Sequence, residues 1–295
     1  MTEILRSVVE LRENESMSKH TTFKVGGPAD IFVLPRNEDE LRFVLKTCLE
    51  HSYPHFMLGN GSNLLVKDGG IRGLVVSLSR MNKIELLNEG KILAQAGVSL
   101  KELAEFALKH RVSGMEFTHG IPGSVGGGVF MNAGAYDSEM ADIFVAAHCV
   151  DKNGEFVELD SDQMNFEYRK SAAQTQGLVI ASVILQGLPS DKVDILAKMQ
   201  DLEEKRSSKQ PLEMASAGST FKRPPGKFAG KLIMDAGLRG HQIGGAQVSE
   251  KHCGFVVNRG GATADDILGL IEHIRHTVKD KFGIWLETEV KIVGE

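Results

Sequence analysis

From Glu38 to His51 the apolar residues Leu41, Val44, Leu45, Cys48 and Leu49 recur at helical spacing, which predicts an amphipathic helix with one buried stripe. Short apolar runs ended by proline or glycine flank it, ADIFVLP before and HFMLG after, and IRGLVVSLS follows; these read as strands. The pattern is β-α-β-β, with the polar loop GNGSN at a strand exit. A second set begins near Met81 with KIELL and KILAQAG, followed by a helix around Leu100, Leu103, Ala104, Ala107 and Leu108. Strand-like runs return in FVAAHCVD, EFVELD and LVIASVILQ. The stretch from Asp191 to Gln210 reads as an amphipathic helix and crossover, its charge run DLEEKRSSKQ forming a solvated face. The third set, from about Pro211, holds the short strand GFVVN and a long helix from Asp265 to Lys281. Thr263 and Asp266 form a capping-box pattern at the start of that helix, and IWLETEVKIVG is expected as a closing strand. The expected domains are 1–80, 81–190 and 205–295. No internal repeat or low-complexity tract appears.

Composition narrows the class. A chain of 295 residues with 42% hydrophobic and 25% charged content is long enough for two or three compact units and has neither a disordered nor a membrane composition. A net charge of −5 provides no global field for nucleic acid, so no nucleic-acid partner is expected. Cys48, Cys149 and Cys253 are odd in number and lack CxxC spacing, which suits a reducing compartment. The amino terminus MTEILRSVVELRENESMS interrupts its apolar positions with charge, and no run is long enough to span a membrane. A cytoplasmic protein without a membrane partner is expected. His273 and His276 stand three apart on a helix without a third ligand, and no metal is expected.

The densest chemical signal is the run HGIPGSVGGGVFMNAGAY, His119 to Tyr136, with glycines at 120, 123, 126, 127, 128 and 134. Glycines allow positive φ and leave room for close approach, and their N–H groups can cradle an anion such as a pyrophosphate. The spacing is neither a Rossmann fingerprint nor a Walker loop, which needs GK[ST]. Taken alone the run fits either an anion cradle or a structural turn. LGNGSNLLV, Leu58 to Val66, is a second loop of the kind, which by itself also fits a polar turn between strands.

With HTTFKVGGPAD, His20 to Asp30, these loops resemble the flavin-binding half of the vanillyl-alcohol-oxidase/PCMH-like FAD proteins. More narrowly the chain is similar, over nearly its whole length, to the UDP-N-acetylenolpyruvoylglucosamine reductase (MurB) family. The absence of a long tyrosine-bearing insertion points to the shorter of its two types. The resemblance implies an α+β fold: a two-subdomain PCMH-type FAD-binding module (1–80 and 81–190) plus a separate α/β substrate-binding domain (205–295). It implies FAD as cofactor, held by Gly59, Asn60, Gly61, Ser62, Asn63, Leu64, Gly120, Ile121, Pro122, Gly123, Ser124, Gly126, Gly127, Asn132, Ala133 and Gly134, and NADPH as reductant. EYRKS places the family's active-site arginine on Arg169, AGSTFKRP its serine proton donor on Ser219, and LETEV its catalytic glutamate on Glu289. Tyr168, Lys222, Arg223, Lys227 and Gln247 are implied substrate contacts.

The implied reaction reduces an enolpyruvyl ether on UDP-N-acetylglucosamine to UDP-N-acetylmuramate, a step of peptidoglycan synthesis tied to cell shape, cell cycle and division, by a small-molecule enzyme expected to be a monomer. Arginine suits the substrate carboxylate because guanidinium binds two oxygens in a planar fork; a structural ion pair is the plain alternative. A glutamate stabilises the enolic intermediate only if it carries the proton it donates, which needs a dry setting. Glu287 lies two residues from Glu289 and shares its face in a strand, so alternation does not choose between them. Ser219 fits a proton donor or an ordinary strand start, and Lys222, Arg223, Lys227 and Lys231 fit a pyrophosphate site or plain surface charge. Arg223 stands where some members have asparagine, and Asp137 where glycine is common. The competing functions are an alcohol or sugar oxidase of the same superfamily, in which His119 is a candidate flavin tether, and a non-catalytic UDP-sugar-binding protein.

Overall fold

The computed structural model describes residues 1–295. Its contacts divide the chain into two compact units: Met1–Arg12, Ile31–Asn60 and Gly73–Arg206 form the first, Glu13–Asp30, Gly61–Arg72 and Ser207–Glu295 the second.

In the first unit the predicted helix spans Glu38–Glu50. Asn37 caps it, its side chain accepting from the Glu40 N–H at 2.9 Å, and Glu38, Asp39 and Glu40 place negative charge in the first turn, where the helix dipole favours it. Leu41, Val44, Leu45 and Cys48 are buried as expected, but Leu49 is exposed, because positions 41, 44, 45 and 48 already complete the stripe. His55–Leu58 runs parallel to Ile71–Ser77, in a four-stranded sheet ordered Glu10–Ser16, Pro28–Leu34, Ile71–Ser77, His55–Leu58. The divisions after Arg12, Asp30 and Arg72 fall within its strands.

A five-stranded antiparallel sheet follows, ordered Phe156–Asp160, Phe144–Val150, Val179–Gln186, Lys91–Gln95, Ile84–Leu86. The helix Leu100–Lys109 starts at a Ser99/Glu102 capping box and buries Leu100, Leu103, Ala104 and Ala107. The charge-rich helix Lys192–Ser207 docks through Ile195 and Met199 against Ala104 and Leu108. Its solvated face is interrupted by Arg206, which is buried.

The second unit packs the helix Ala264–Phe282 on a three-stranded sheet ordered Gln242–Ile243, Ala246–Val248, Val256–Asn258. The Thr263/Asp266 capping box forms, and Gly283 ends the helix in the left-handed conformation, φ +68°. Ile267, Leu270, Ile271, Ile274 and Val278 line its buried face. The expected closing strand is cut short. Only Lys291–Val293 is a strand, pairing in parallel with Leu64–Val66, while upstream Thr288 bridges Phe221. A chain that changes partner within three residues cannot carry one continuous ladder, so Glu289 lies in a bend ahead of the strand that was expected to carry it.

Candidate active site

In the first unit the glycine run is not one long loop. Val125–Phe130 is a helix capped by Ser124, and its leading amides are spent within the protein: Val125 N–H on Val98 O at 2.8 Å, Gly126 N–H on Ala96 O at 2.9 Å, Gly127 N–H on Ser124 Oγ at 3.3 Å. A Cβ on Gly126 would lie 2.6 Å from the Ala96 Cβ, and one on Gly134 would lie 2.6 Å from Ser138 O. At these positions the closely approaching partner is the protein's own backbone and core.

Groups suited to an anion lie elsewhere. The backbone N–H groups of Gly59 to Asn63 make no hydrogen bond within the protein. Gly61 (φ +60°) admits no side chain, because a Cβ would lie 2.0 Å from His20 O in the second unit. In the first unit Arg206 is 9% exposed and its buried Nε has no partner. Its Cδ lies 3.0 Å from where a Cβ on Gly120 would stand. Burial pushes its pKa down, with charge on the Tyr136 phenol acting against the shift. His119 Nδ1 is likewise buried without a partner, the carboxylates of Glu105 and Glu203 standing 3.9 Å from the ring nitrogens, beyond hydrogen-bond reach. Unmet buried donors are costly, and a phosphate oxygen is the kind of acceptor that would satisfy the Arg206 guanidinium in the first unit and, separately, open backbone amides. The donor set therefore fits FAD. Sequence reasoning missed Arg206; the signal was its place at helical spacing after Ile195, Met199 and Leu202, on the face that packs inward.

Arg169 occupies the turn Glu167–Lys170, closed by reciprocal backbone bonds of 3.0 and 3.1 Å. Its φ of +57° is unusual for a residue with a side chain and costs on the order of 1 kcal/mol. Neighbours hold it there. Asn132, fully buried, donates to Glu167 O at 3.2 Å and accepts from Ala141 N–H at 3.1 Å, and Gln174 Nε2 donates to Arg169 O at 3.2 Å. The guanidinium donates to Asn132 O (3.2 Å) and Gly134 O (3.4 Å) and lies 4.9 Å from the exposed Tyr168 ring. The Asn132 side chain, at a residue expected to contact the cofactor, thus also fixes the arginine turn.

In the second unit the segments of Ser219 and Glu289 meet. Glu289 N–H donates to Thr220 O at 2.9 Å, Lys222 N–H to Glu287 O at 2.9 Å, and Asn63 Nδ2 to Glu289 O at 3.2 Å. Ser219 is exposed and follows Gly218 (φ +73°), while Thr220 beneath it is fully buried. The two glutamates are now distinct: the Glu287 side chain is 72% exposed and pairs with Lys222 Nζ at 3.1 Å, whereas Glu289 is half-buried. Arg223 stacks on the Phe228 ring at 3.9 Å, Gln247 Nε2 donates to Gly240 O at 3.2 Å, and Lys227 N–H closes a turn onto Pro224 O.

Comparison with known proteins agrees with the donor set. The description "FAD binding domain" matches residues 29–160, and "UDP-N-acetylenolpyruvoylglucosamine reductase, C-terminal domain" matches residues 210–293. With the mixed helix–strand architecture, these define an FAD-dependent oxidoreductase with an appended C-terminal domain. UDP-N-acetylenolpyruvoylglucosamine reductase of Clostridium perfringens strain SM101 is 50% identical over 97% of this chain and 93% of its own length. That of Clostridioides difficile strain 630 is 50% identical over 97% and 94%. The crystal structure of the same reductase (MurB) from Thermus caldophilus superposes with a TM-score of 0.83 at 34% identity, covering 97% of this chain and 99% of that one. The chain belongs to the UDP-N-acetylenolpyruvoylglucosamine reductase family.

Proposed function

We propose that the protein reduces UDP-N-acetylglucosamine enolpyruvate to UDP-N-acetylmuramate with NADPH as reductant, in the synthesis of peptidoglycan and hence in support of cell shape, the cell cycle and division. FAD, when bound, would supply the hydride-transfer chemistry that side chains lack, linking NADPH as reductant to the enolpyruvyl double bond. Residues proposed to hold it are Gly59 to Leu64, Gly120 to Ser124 and Arg206, with Gly126, Gly127, Asn132, Ala133 and Gly134 shaping the surrounding backbone.

Negative charge then develops toward the substrate carboxylate. Arg169, its turn fixed by Asn132 and Gln174, offers the carboxylate a planar pair of donors without having to be ordered at the moment of reaction. Glu289 donates a hydrogen bond to the enolic oxygen, and Ser219 delivers the proton to the carbon beside the carboxylate. Tyr168, Lys222, Arg223, Lys227 and Gln247 are the proposed sugar-nucleotide contacts. The observation that carries this reading is the 2.9 Å bond from Glu289 N–H to Thr220 O, which draws the glutamate and serine segments together across 70 residues of chain. The proposed setting is the cytoplasm: no helix is long and apolar enough to cross a membrane, and all three cysteines are free and buried. The domains proposed from sequence are 1–80 and 81–190 for FAD and 205–295 for substrate; the family match at 29–160 falls within the two FAD ranges together and that at 210–293 within the substrate range. A monomer is proposed, which sedimentation tests.

The function is tested by an anaerobic stopped-flow record of flavin absorbance. Bleaching by NADPH followed by recovery on adding UDP-N-acetylglucosamine enolpyruvate is the expected result. Bleaching that recovers only with air would make the protein an oxidase, and a colourless protein would leave only sugar-nucleotide binding.

A further inference from the structure

Thr220 is not among the residues proposed to contact substrate, yet three of its polar atoms are committed to three different places. Its N–H donates to Gly254 O at 2.9 Å, its Oγ1 accepts from Val256 N–H at 3.0 Å, and its C=O accepts from Glu289 N–H at 2.9 Å. The residue is fully buried, next to Phe221 at 3% exposure. The first two bonds straddle Phe255 and lock residue 220 onto the turn that opens the strand Val256–Asn258. The third attaches the segment of Glu289. On the upstream side Gly218 stands at φ +73° with open space where a Cβ would be.

We infer that Thr220 is a positioning residue that sets Ser219 and Glu289 in a single register, its hydroxyl being the part that matters; the inference rests on the roles proposed for those two residues. The backbone bonds of residue 220 do not depend on its side chain, whereas the Oγ1 bond requires a side-chain hydroxyl. Losing it leaves the Val256 N–H, on a residue 1% exposed, buried without an acceptor. Relief requires the 219–220 segment to draw back from the strand, and the Glu289 N–H is tied to that same segment. A displacement of about 1 Å is enough to spoil alignment of a proton donor, which is why a remote hydroxyl affects the chemical step.

The test compares Thr220→Val, which keeps the shape and deletes the acceptor, with Thr220→Ser, which keeps the acceptor, both as FAD-loaded protein. Thr220→Val is expected to slow absorbance recovery with the enolpyruvyl nucleotide at least about tenfold while bleaching by NADPH stays within about twofold; Thr220→Ser restores recovery to within about threefold. Hydrogen exchange at the Val256 and Glu289 amides should quicken together in Thr220→Val and remain slow in Thr220→Ser. Equal slowing of both half-reactions in Thr220→Val, or unchanged recovery despite faster exchange at Val256, would overturn the inference. If Thr220→Val does not accumulate as folded protein, Thr220→Ala is read by the same split and the same two amides. Ser219→Ala separates the two levels of the claim. Normal recovery in that variant removes the serine's role and this inference with it, whereas impaired recovery there with normal recovery in Thr220→Val sinks the inference alone.

Discussion

At the scale of single residues, what distinguishes the proposed catalytic groups from their neighbours is how they are held. Glu287 and Glu289 are equivalent by strand alternation, but one reaches an exposed lysine and the other is half-buried with its backbone bonded on both sides. Glu289→Gln is therefore expected to lower the rate of recovery with the sugar nucleotide by about 10² or more, and Glu287→Gln to change it by less than about threefold; the reverse order would exchange the assignments. Arg169→Lys replaces a planar fork with a point charge and should cut kcat/KM for the enolpyruvyl nucleotide by about 10²-fold, with bleaching by NADPH unaffected. Arg169, Ser219 and Glu289 are proposed from sequence motifs that resemble a family. Arg206 was read as part of a solvated face, because a cation in a charge run gives no local sign that it is buried, and its helical spacing alone pointed inward. The commitment of Asn132 to the arginine turn had no sequence signal at all, since its partners Ala141 and Glu167 come from separate turns.

Elements carry a different set of expectations. The helix Ala264–Phe282 depends on the Thr263 side chain accepting from Asp266 N–H at 3.1 Å, and Thr263→Ala should cost about 1 kcal/mol, read from the urea midpoint. The short helix Val125–Phe130 depends on Gly126 lying against Ala96, and Gly126→Ala forces a contact that neither backbone can relieve. A loss of about 1–3 kcal/mol is expected, seen as a lower Tm in the protein freed of flavin. Helices capped by short polar patterns were predicted to within a residue or two because cap and stripe are both local. The closing strand was overextended, for the apolar alternation in IWLETEVKIVG does not record that the chain leaves Phe221 for Leu64 midway.

For the whole molecule, two expectations follow. If one site serves NADPH and the sugar nucleotide in turn, steady-state kinetics should be ping-pong, with inhibition by excess sugar nucleotide; simultaneous binding of both ligands by calorimetry would contradict it. Stability should also depend on pH through His252, whose pKa burial pushes below the ordinary histidine value of 6.5, only partly offset by a backbone hydrogen bond. The folded state then binds its proton less readily than the unfolded chain. The stability from this group is full above about pH 6.5 and is lost as pH falls through the lower folded value. The urea midpoint should drop between pH 7 and 5, and His252→Gln should flatten that drop.

The chain by itself determined its main helices and most of its strands, the Thr263/Asp266 capping box, its family resemblance and the catalytic candidates, because each is written in residues near one another or in motifs of fixed spacing. Tertiary structure alone decided which glycine amides remain open, where Arg206 is buried, which glutamate is sheltered and that Thr220 joins Ser219 to Glu289. Those outcomes depend on contacts between segments tens to hundreds of residues apart, where burial and hydrogen-bond satisfaction are settled by packing rather than by local pattern.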